Sequence, residues 1–258
     1  MKRKHGILLL ITVAVYFFIL APLAMIAATS FTTESYISFP PVGFTVMWYQ
    51  KVFQNESFGQ AFKLSLTISF SATFIALLVG IPGTYALNRS NFKGKKLIKD
   101  LFLSPNLIPN IVTGFALFVF IIVQLQLNVR VALLVGLAVS VMTFSFRIVG
   151  ASLEHLDYSI EEAAMSLGAN QFTVFFRIVL PNISSGIISA FLLAFISAFN
   201  NVPLTVFLSG PGIVTLPVAM MSYIEYYYDP TVSALSVLLM LMSLVIMVVS
   251  EKLVKAGK

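Results

Sequence analysis

Six long apolar runs, at roughly 6–28, 61–88, 101–124, 130–150, 183–208 and 231–250, divide the 258-residue chain. A bilayer core takes about 20 apolar residues per crossing helix, so each run is long enough to span. In lipid, every backbone N–H and C=O must find a partner inside the protein, which leaves helices or a closed barrel. Unbroken apolar runs of this length point to helices. Composition agrees: 59% of residues are hydrophobic and 10% charged, against about 25% charged in soluble domains. The expected fold is an all-α polytopic membrane protein with six transmembrane helices in a single domain, 1–258.

Lys2, Arg3 and Lys4 precede the first run. A signal-peptide core holds about 7–15 apolar residues; the run from Gly6 to Ala28 is longer, so it reads as an uncleaved span. With the N-terminus in the cytoplasm, thirteen of the 16 basic residues fall inside and three, Lys51, Lys63 and Arg130, outside. That asymmetry satisfies the positive-inside rule and puts both termini in the cytoplasm. The net charge of +6 is therefore topological and argues against a nucleic-acid partner. The absence of cysteine removes disulfides, thiolate metal sites and cysteine nucleophiles.

Two external segments are substantial. In the first, rich in aromatics, Tyr36, Trp48 and Tyr49 suit the bilayer interface. The second, SGPGIVTLPVAMMSYIEYYYDP, lacks Lys and Arg but carries Glu225 and Asp229. No internal repeat is evident, so any pseudo-symmetry comes from a second chain.

The loop 151–182, between the fourth and fifth runs, is organised differently. Ser159 can cap a helix, with Glu162 three residues later completing a capping box. Glu161 and Glu162 in the first turn suit the positive end of the helix dipole. Gly168 accepts the left-handed conformation of a helix end. A second piece, NQFTVFFRIVL, follows, and Pro181 stops it or opens the fifth span. The expectation is two short helices at a glycine corner. Phe172, Phe175, Phe176 and Val179 form an apolar stripe, and the face bearing Glu161 and Glu162 is free. On physics alone, an ordinary amphipathic loop helix explains this stretch as well as a docking site does.

The stretch Glu162–Pro181 resembles the EAA loop of binding-protein-dependent ABC importer permeases. The family pattern is EAA, three residues, Gly, nine residues, Ile, one residue, Leu-Pro; Glu162, Ala163, Ala164, Gly168, Ile178, Leu180 and Pro181 meet every spacing. Several further stretches resemble the same family: FTTESYISFPPVGFTVMWYQKVF, GIPGTYALNRSNFKGKK, FLSGPGIVTLPVAMMSYI and YYYDPTVSALSVLLMLMSLVIM. By these the chain is identified as a type I, MetI-like permease. It is similar to the spermidine/putrescine C type, in a subgroup serving polyamines, iron and aminoethylphosphonate-like solutes.

The resemblance implies a coupling loop that docks on an ATP-hydrolysing subunit through Glu161, Glu162, Ala163, Ala164, Gly168, Ala169, Ile178, Leu180 and Pro181. It implies two ATP-binding subunits holding ATP and Mg2+, a second, related permease subunit and an extracytoplasmic substrate-binding protein. The location implied is the cytoplasmic (inner) membrane of a bacterium. No glycine-rich phosphate loop is present, so the chain itself is expected to bind no cofactor and to hydrolyse no ATP.

Asn200 and Asn201, followed by Pro203, lie inside the fifth run. Polar groups at membrane depth face protein or water. They suit the translocation path for a small solute, or equally helix–helix hydrogen bonding. Related polyamine permeases often carry carboxylates here; amides leave neutral, zwitterionic or anionic solutes open. Glu225, Tyr226, Tyr227, Tyr228 and Asp229 can attract a cation by charge and cation–π contact, or form an external belt facing the binding protein. Pro22 and Pro82 are tolerated within spans. His5 and His155 are isolated and give no metal set. An ion-coupled secondary transporter would need an intramembrane ionisable residue, which the centres of runs three to six hardly offer. An intramembrane enzyme would need a buried catalytic group, and none stands out.

Overall fold

The computed structural model describes residues 2–256, with side-chain surroundings for 8–105, 107–249 and 251–252. The helices among the described residues run in this order: α1 (Lys2–Thr29), α2 (Met47–Gln54), α3 (Glu56–Arg89), α4 (Lys95–Leu103), α5 (Asn110–Leu117), α6 (Val129–Phe144), α7 (Gly150–His155), α8 (Tyr158–Ser166), α9 (Gln171–Val174), α10 (Leu180–Asn182), α11 (Ser184–Phe199), α12 (Val202–Thr205), α13 (Leu216–Tyr226) and α14 (Thr231–Ala256). Wide π-helical turns join α6 to α7 at Ser145–Val149 and α9 to α10 at Phe175–Val179. No strand occurs among the described residues.

By length and apolarity, four described stretches can cross a membrane: Leu8–Thr29, Glu56–Arg89, Val129–His155 and Thr231–Val249. A fifth arises if Gln171–Asn182 and Ser184–Phe199, bent by 71°, act as one. Two of the expected runs are not continuous helices. In 101–124 the α-helix gives way to a 3-10 turn at Ser104–Leu107, which holds Pro105 in its first positions, and breaks before Pro109, because the residue before a proline is biased out of the α region. Ile108 accordingly sits extended, at φ −95 and ψ 130, and the apolar helix begins at Asn110. In 183–208, α11 stops at Phe199 and Asn200–Asn201 separate it from α12.

The chain divides into two compact units. One comprises the residues up to Gln60 with Ala219–Leu244. In it α1 exposes apolar side chains all round, including Phe17 and Phe18, as a lipid-facing helix does. Trp48 is fully buried and donates its indole N–H to the Thr32 carbonyl at 2.7 Å. It is therefore a core anchor, because this hydrogen bond lets the whole ring leave solvent. Tyr49 is also tied down, by Ser30 at 2.8 Å, while Tyr36 is exposed.

The other unit comprises Ala61–Val218 and the residues from Val245 on. One apolar cluster joins Ala72, Ala76, Ala132, Leu133, Leu137, Ala138, Ala194, Ala198 and Leu204. Its abundance of alanine lets helix backbones approach closely, the usual packing solution where lipid supplies no hydrophobic drive. At Gly114 the approach is of backbone to backbone: a Cβ there would meet the Leu204 carbonyl oxygen at 2.7 Å. A second cluster, around Leu77, Val149, Leu153, Val174, Val179, Ile183 and Ala190, lies under the loop 151–182.

Candidate functional site

The loop 151–182 is built as a capped corner. Asp157, not Ser159, caps α8: its carboxylate accepts the Ser159 N–H at 3.0 Å. Asp and Ser are near-equal cap formers, so local sequence cannot choose between them. That hydrogen bond holds the Asp157 carboxyl below the usual carboxylate range. α8 ends in a Schellman motif: the Gly168 N–H reaches the Met165 carbonyl at 2.9 Å and the Ala169 N–H the Ala164 carbonyl at 3.1 Å. Gly168 sits at φ +91, the left-handed conformation expected of it. Asn170 then caps α9 by accepting the Thr173 N–H at 2.8 Å. The wide turn before Pro181 sits where this proline has no N–H to return to the Arg177 carbonyl.

The two neighbouring glutamates face different ways, Glu161 inward and Glu162 outward. Consecutive helical positions are about 100° apart. Glu161 shares its stripe with Ala164 and Met165, which pack with Ala169 and Phe175 on the second cluster. Glu162 and Ala163 are exposed, as is Gly168, and Leu167 is 90% exposed. Glu161 is 1% exposed, so the free face expected for both glutamates carries Glu162 but not Glu161.

Glu161 is buried because it is paired. Arg89, the last residue of α3, donates Nη2 and Nε to Glu161 Oε1 at 2.7 and 2.8 Å. Tyr85, one turn earlier on α3, donates its hydroxyl to Oε2 at 2.8 Å. The same guanidinium reaches the carbonyls of Leu156 at 3.2 Å and Leu153 at 3.4 Å, and lies 5.1 Å from the Tyr158 ring centre. A planar fork of donors suits this multiple task as a lysine ammonium would not. Arg89 and Tyr85 were absent from the sequence-derived site: Arg89 reads there as one more topological charge. The arrangement is a buried ion pair closed by hydrogen bonds. It binds α8 rigidly to the end of a long helix while leaving the opposite face open.

The apolar stripe expected on the second piece is also redistributed. Val174 and Val179 are buried and Phe175 packs on Tyr85 at 5.0 Å, while Phe172 and Phe176 are exposed. The π turn lets Val174 and Val179, five positions apart, both point inward beside Phe175. Ile178 and Leu180 are half-buried and Pro181 is exposed.

The polar pair of the fifth run is a joint. Asn200 is exposed; Asn201 is buried and caps α12 by accepting the Leu204 N–H at 3.2 Å. Its amide nitrogen lies 3.5 Å from Ser140 Oγ on α6, and its carbonyl accepts the Thr205 hydroxyl at 2.6 Å. Pro203 is in the first turn of α12 and opens that helix rather than kinking a longer one.

In the other unit, Glu225, Tyr226, Tyr227 and Tyr228 are exposed at the end of α13. Asp229 is set apart from them. It accepts the Tyr223 hydroxyl at 3.2 Å and the Thr231 N–H at 3.0 Å, and lies 4.0 Å from Lys51. Burial pushes the Tyr223 hydroxyl above its ordinary pKa. Among the described residues, no group of three His, Cys, Asp or Glu is placed to hold a metal.

A family model described as "Binding-protein-dependent transport system inner membrane component" matches residues 7–256. The chain is 31% identical over 241 residues to the spermidine/putrescine transport system permease protein PotC of Escherichia coli, covering 92% of this chain and 90% of that protein. It is 33% identical over 230 residues to the putrescine transport system permease protein PotI of the same species, covering 86% and 82%. It is 29% identical over 256 residues to the putative 2-aminoethylphosphonate transport system permease protein PhnV of Salmonella paratyphi A, covering 98% and 95%.

Among solved structures, a chain of a bacterial ABC transporter involved in the import of the acidic polysaccharide alginate superposes with a TM-score of 0.77 at 18% identity, covering 99% of this chain and 96% of that one. A chain of the inward-facing MetNI methionine ABC transporter does so with a TM-score of 0.61 at 22% identity, covering 76% and 93%. At these identities the likeness is one of fold.

Proposed function

This chain belongs to the family of binding-protein-dependent transport system inner membrane components, as a multi-pass permease component of an ABC importer, and from that premise we propose that it couples to its ATPase through the exposed face of α8. It forms half of a substrate pathway with a second, related permease subunit. The chain crosses the bacterial inner membrane six times, with both termini cytoplasmic. The third crossing is completed by the broken stretch before Asn110, and the fifth by α11 with α12. ATP and Mg2+ are held by two partner ATPase subunits, and an extracytoplasmic binding protein delivers the solute.

The observation that carries this reading is the division of labour on α8. Glu161 anchors the helix to the bundle through Arg89, while Glu162, Ala163, Leu167 and Gly168 stand exposed on the other side. A load applied to that face passes through a buried ion pair and a packed apolar cluster into α3, α7 and α11. Rigid connection is what a coupling element needs, since packed interfaces switch between discrete arrangements rather than deforming smoothly.

The cargo we favour is a polyamine, supported by the likeness to PotC and PotI over most of the chain. A second reading, an aminoethylphosphonate-like solute, is favoured by the PhnV likeness and by amides rather than carboxylates at Asn200 and Asn201. The deciding experiment is a ligand screen on the cognate binding protein with spermidine, putrescine, 2-aminoethylphosphonate and ferric iron. Polyamine binding supports the first reading. A clear preference for the phosphonate or for iron overturns it.

A further inference from the structure

The segment following α3 carries a surface that the transport reading does not use. α4 has Lys95, Lys96 and Lys99 within its nine residues, with Lys93 just before it. At about 100° per residue, Leu97, Ile98, Leu101 and Phe102 fall on one arc, and Lys95, Lys96, Lys99 and Asp100 on the other. No residue of α4 is buried. Phe102 alone on the apolar arc stacks on a bundle ring, Phe146, at 4.4 Å, leaving Leu97 74% and Leu101 67% exposed.

Between α4 and the bundle lies a cavity of about 100 Å³. Lys95, Lys99, Asn88 and Glu154 supply its polar lining, with Thr84 and the Phe146 ring at its wall. The Lys95 ammonium makes only a long 3.4 Å hydrogen bond to the Asn88 carbonyl. No ion pair neutralises Lys95 or Lys99 among the described residues, although Glu154 lines the same cavity.

We propose that α4 is an interfacial helix and that the cavity beside it holds the phosphodiester of a bilayer phospholipid headgroup, with Lys95 and Lys99 as its cationic ligands. Charge complementarity selects this occupant. Two lysines and one glutamate in the cavity lining leave one net positive charge, which suits the single negative charge of one phosphodiester, and the adjoining basic surface suits anionic headgroups. The exposed apolar arc matches an amphipathic helix lying at the acyl boundary, with lysines on its polar face. A soluble anion accounts for the lysines but leaves Leu97 and Leu101 in water. A lipid accounts for both.

The test uses the intact importer complex in detergent, titrated with phosphatidylglycerol, with diacylglycerol and with inorganic phosphate, and read by native mass spectrometry. Phosphatidylglycerol should bind at a site that neither diacylglycerol nor phosphate fills. Lys95→Gln with Lys99→Gln should weaken that binding by about tenfold to thirtyfold, and Leu97→Ser with Leu101→Ser should weaken it too. Glu154→Lys, which adds a cation to the cavity, should tighten it; this arm stands even if the lysine variant fails to fold. Unchanged affinity in either the lysine or the Glu154 variant overturns the proposal. Saturation by inorganic phosphate alone overturns it in favour of a soluble ligand. Loss of the ATPase subunits from the lysine variant with lipid binding intact gives the surface to the protein partner instead.

Discussion

Arg89 and Glu161 are 72 positions apart in sequence and meet at 2.7 Å, closing a buried ion pair between the end of α3 and the first turn of α8. Tyr85 and two backbone carbonyls complete the set of partners. An ion pair this buried gives little net stability over apolar packing, but losing one partner is costly.

Arg89→Ala is expected to destabilise the protein by about 3–5 kcal/mol, the cost of stranding a buried carboxylate. Arg89→Lys should recover only part of this, because an ammonium cannot span Glu161 and the carbonyls of Leu153 and Leu156 together. Glu161→Gln keeps one oxygen for the two guanidinium N–H groups but sets an amide donor against the Tyr85 hydroxyl and leaves Arg89 without its counter-charge, so it too should destabilise. Thermal unfolding in detergent, with hydrogen exchange over 158–166, measures all three. Wild-type protection in Arg89→Ala would show that the pair does not hold α8.

Gly168 separates backbone strain from contact. A Cβ there meets nothing within 4 Å, but φ is +91. Gly168→Ala should therefore cost only the left-handed penalty, about 1–2 kcal/mol, and retain uptake. Gly168→Arg adds bulk to the exposed corner and should abolish uptake while membrane abundance is retained. Transport assays paired with immunoblots of the membrane fraction decide this; normal uptake by the arginine variant excludes docking at the corner.

Asn200 and Asn201 should behave oppositely. Asn201→Leu loses the α12 cap and leaves buried groups unpaired, for about 1–3 kcal/mol. Asn200→Ala, at an exposed position, should stay within about 0.5 kcal/mol of wild type. If Asn200 lines the pathway, that variant alters substrate preference at unchanged stability. Unchanged preference in competition uptake assays assigns Asn200 no part in selection.

The cap at Asp157 carries a pH dependence of defined sign. Its folded pKa lies below the unfolded one, so its stabilisation is fully present above about pH 4 and fades as pH falls through the folded value. Asp157→Asn, still an acceptor, should flatten that dependence while keeping α8 ordered, and Asp157→Ala should loosen α8 at every pH. Circular dichroism and exchange protection of residues 158–166 across an acid titration check both. Identical profiles for wild type and Asp157→Asn would remove the carboxylate from the cap.

Much of the architecture is legible from apolar run length alone. The runs at 61–88, 130–150 and 231–250 appear within the helical stretches Glu56–Arg89, Val129–His155 and Thr231–Ala256. The glycine corner is legible too, because φ above zero is a local demand that few residues other than glycine meet. The broken runs were harder to read. The prolines at 105 and 109 and the Asn200–Asn201 joint are short polar interruptions inside otherwise apolar runs, and a window long enough to detect a span averages over them.

Sequence by itself determined that this chain is helical and membrane-embedded, where α8 turns, and which family it resembles. These follow from backbone hydrogen bonding in lipid, from glycine's conformational freedom and from fixed motif spacing. Only the tertiary structure decided which of two adjacent glutamates is anchor and which is surface. It also chose Asp157 over Ser159 as cap, and made Trp48 core and Asn201 a joint. Each of those outcomes depends on a partner distant in sequence or on a choice between near-equal local options, and no periodicity within the segment encodes it.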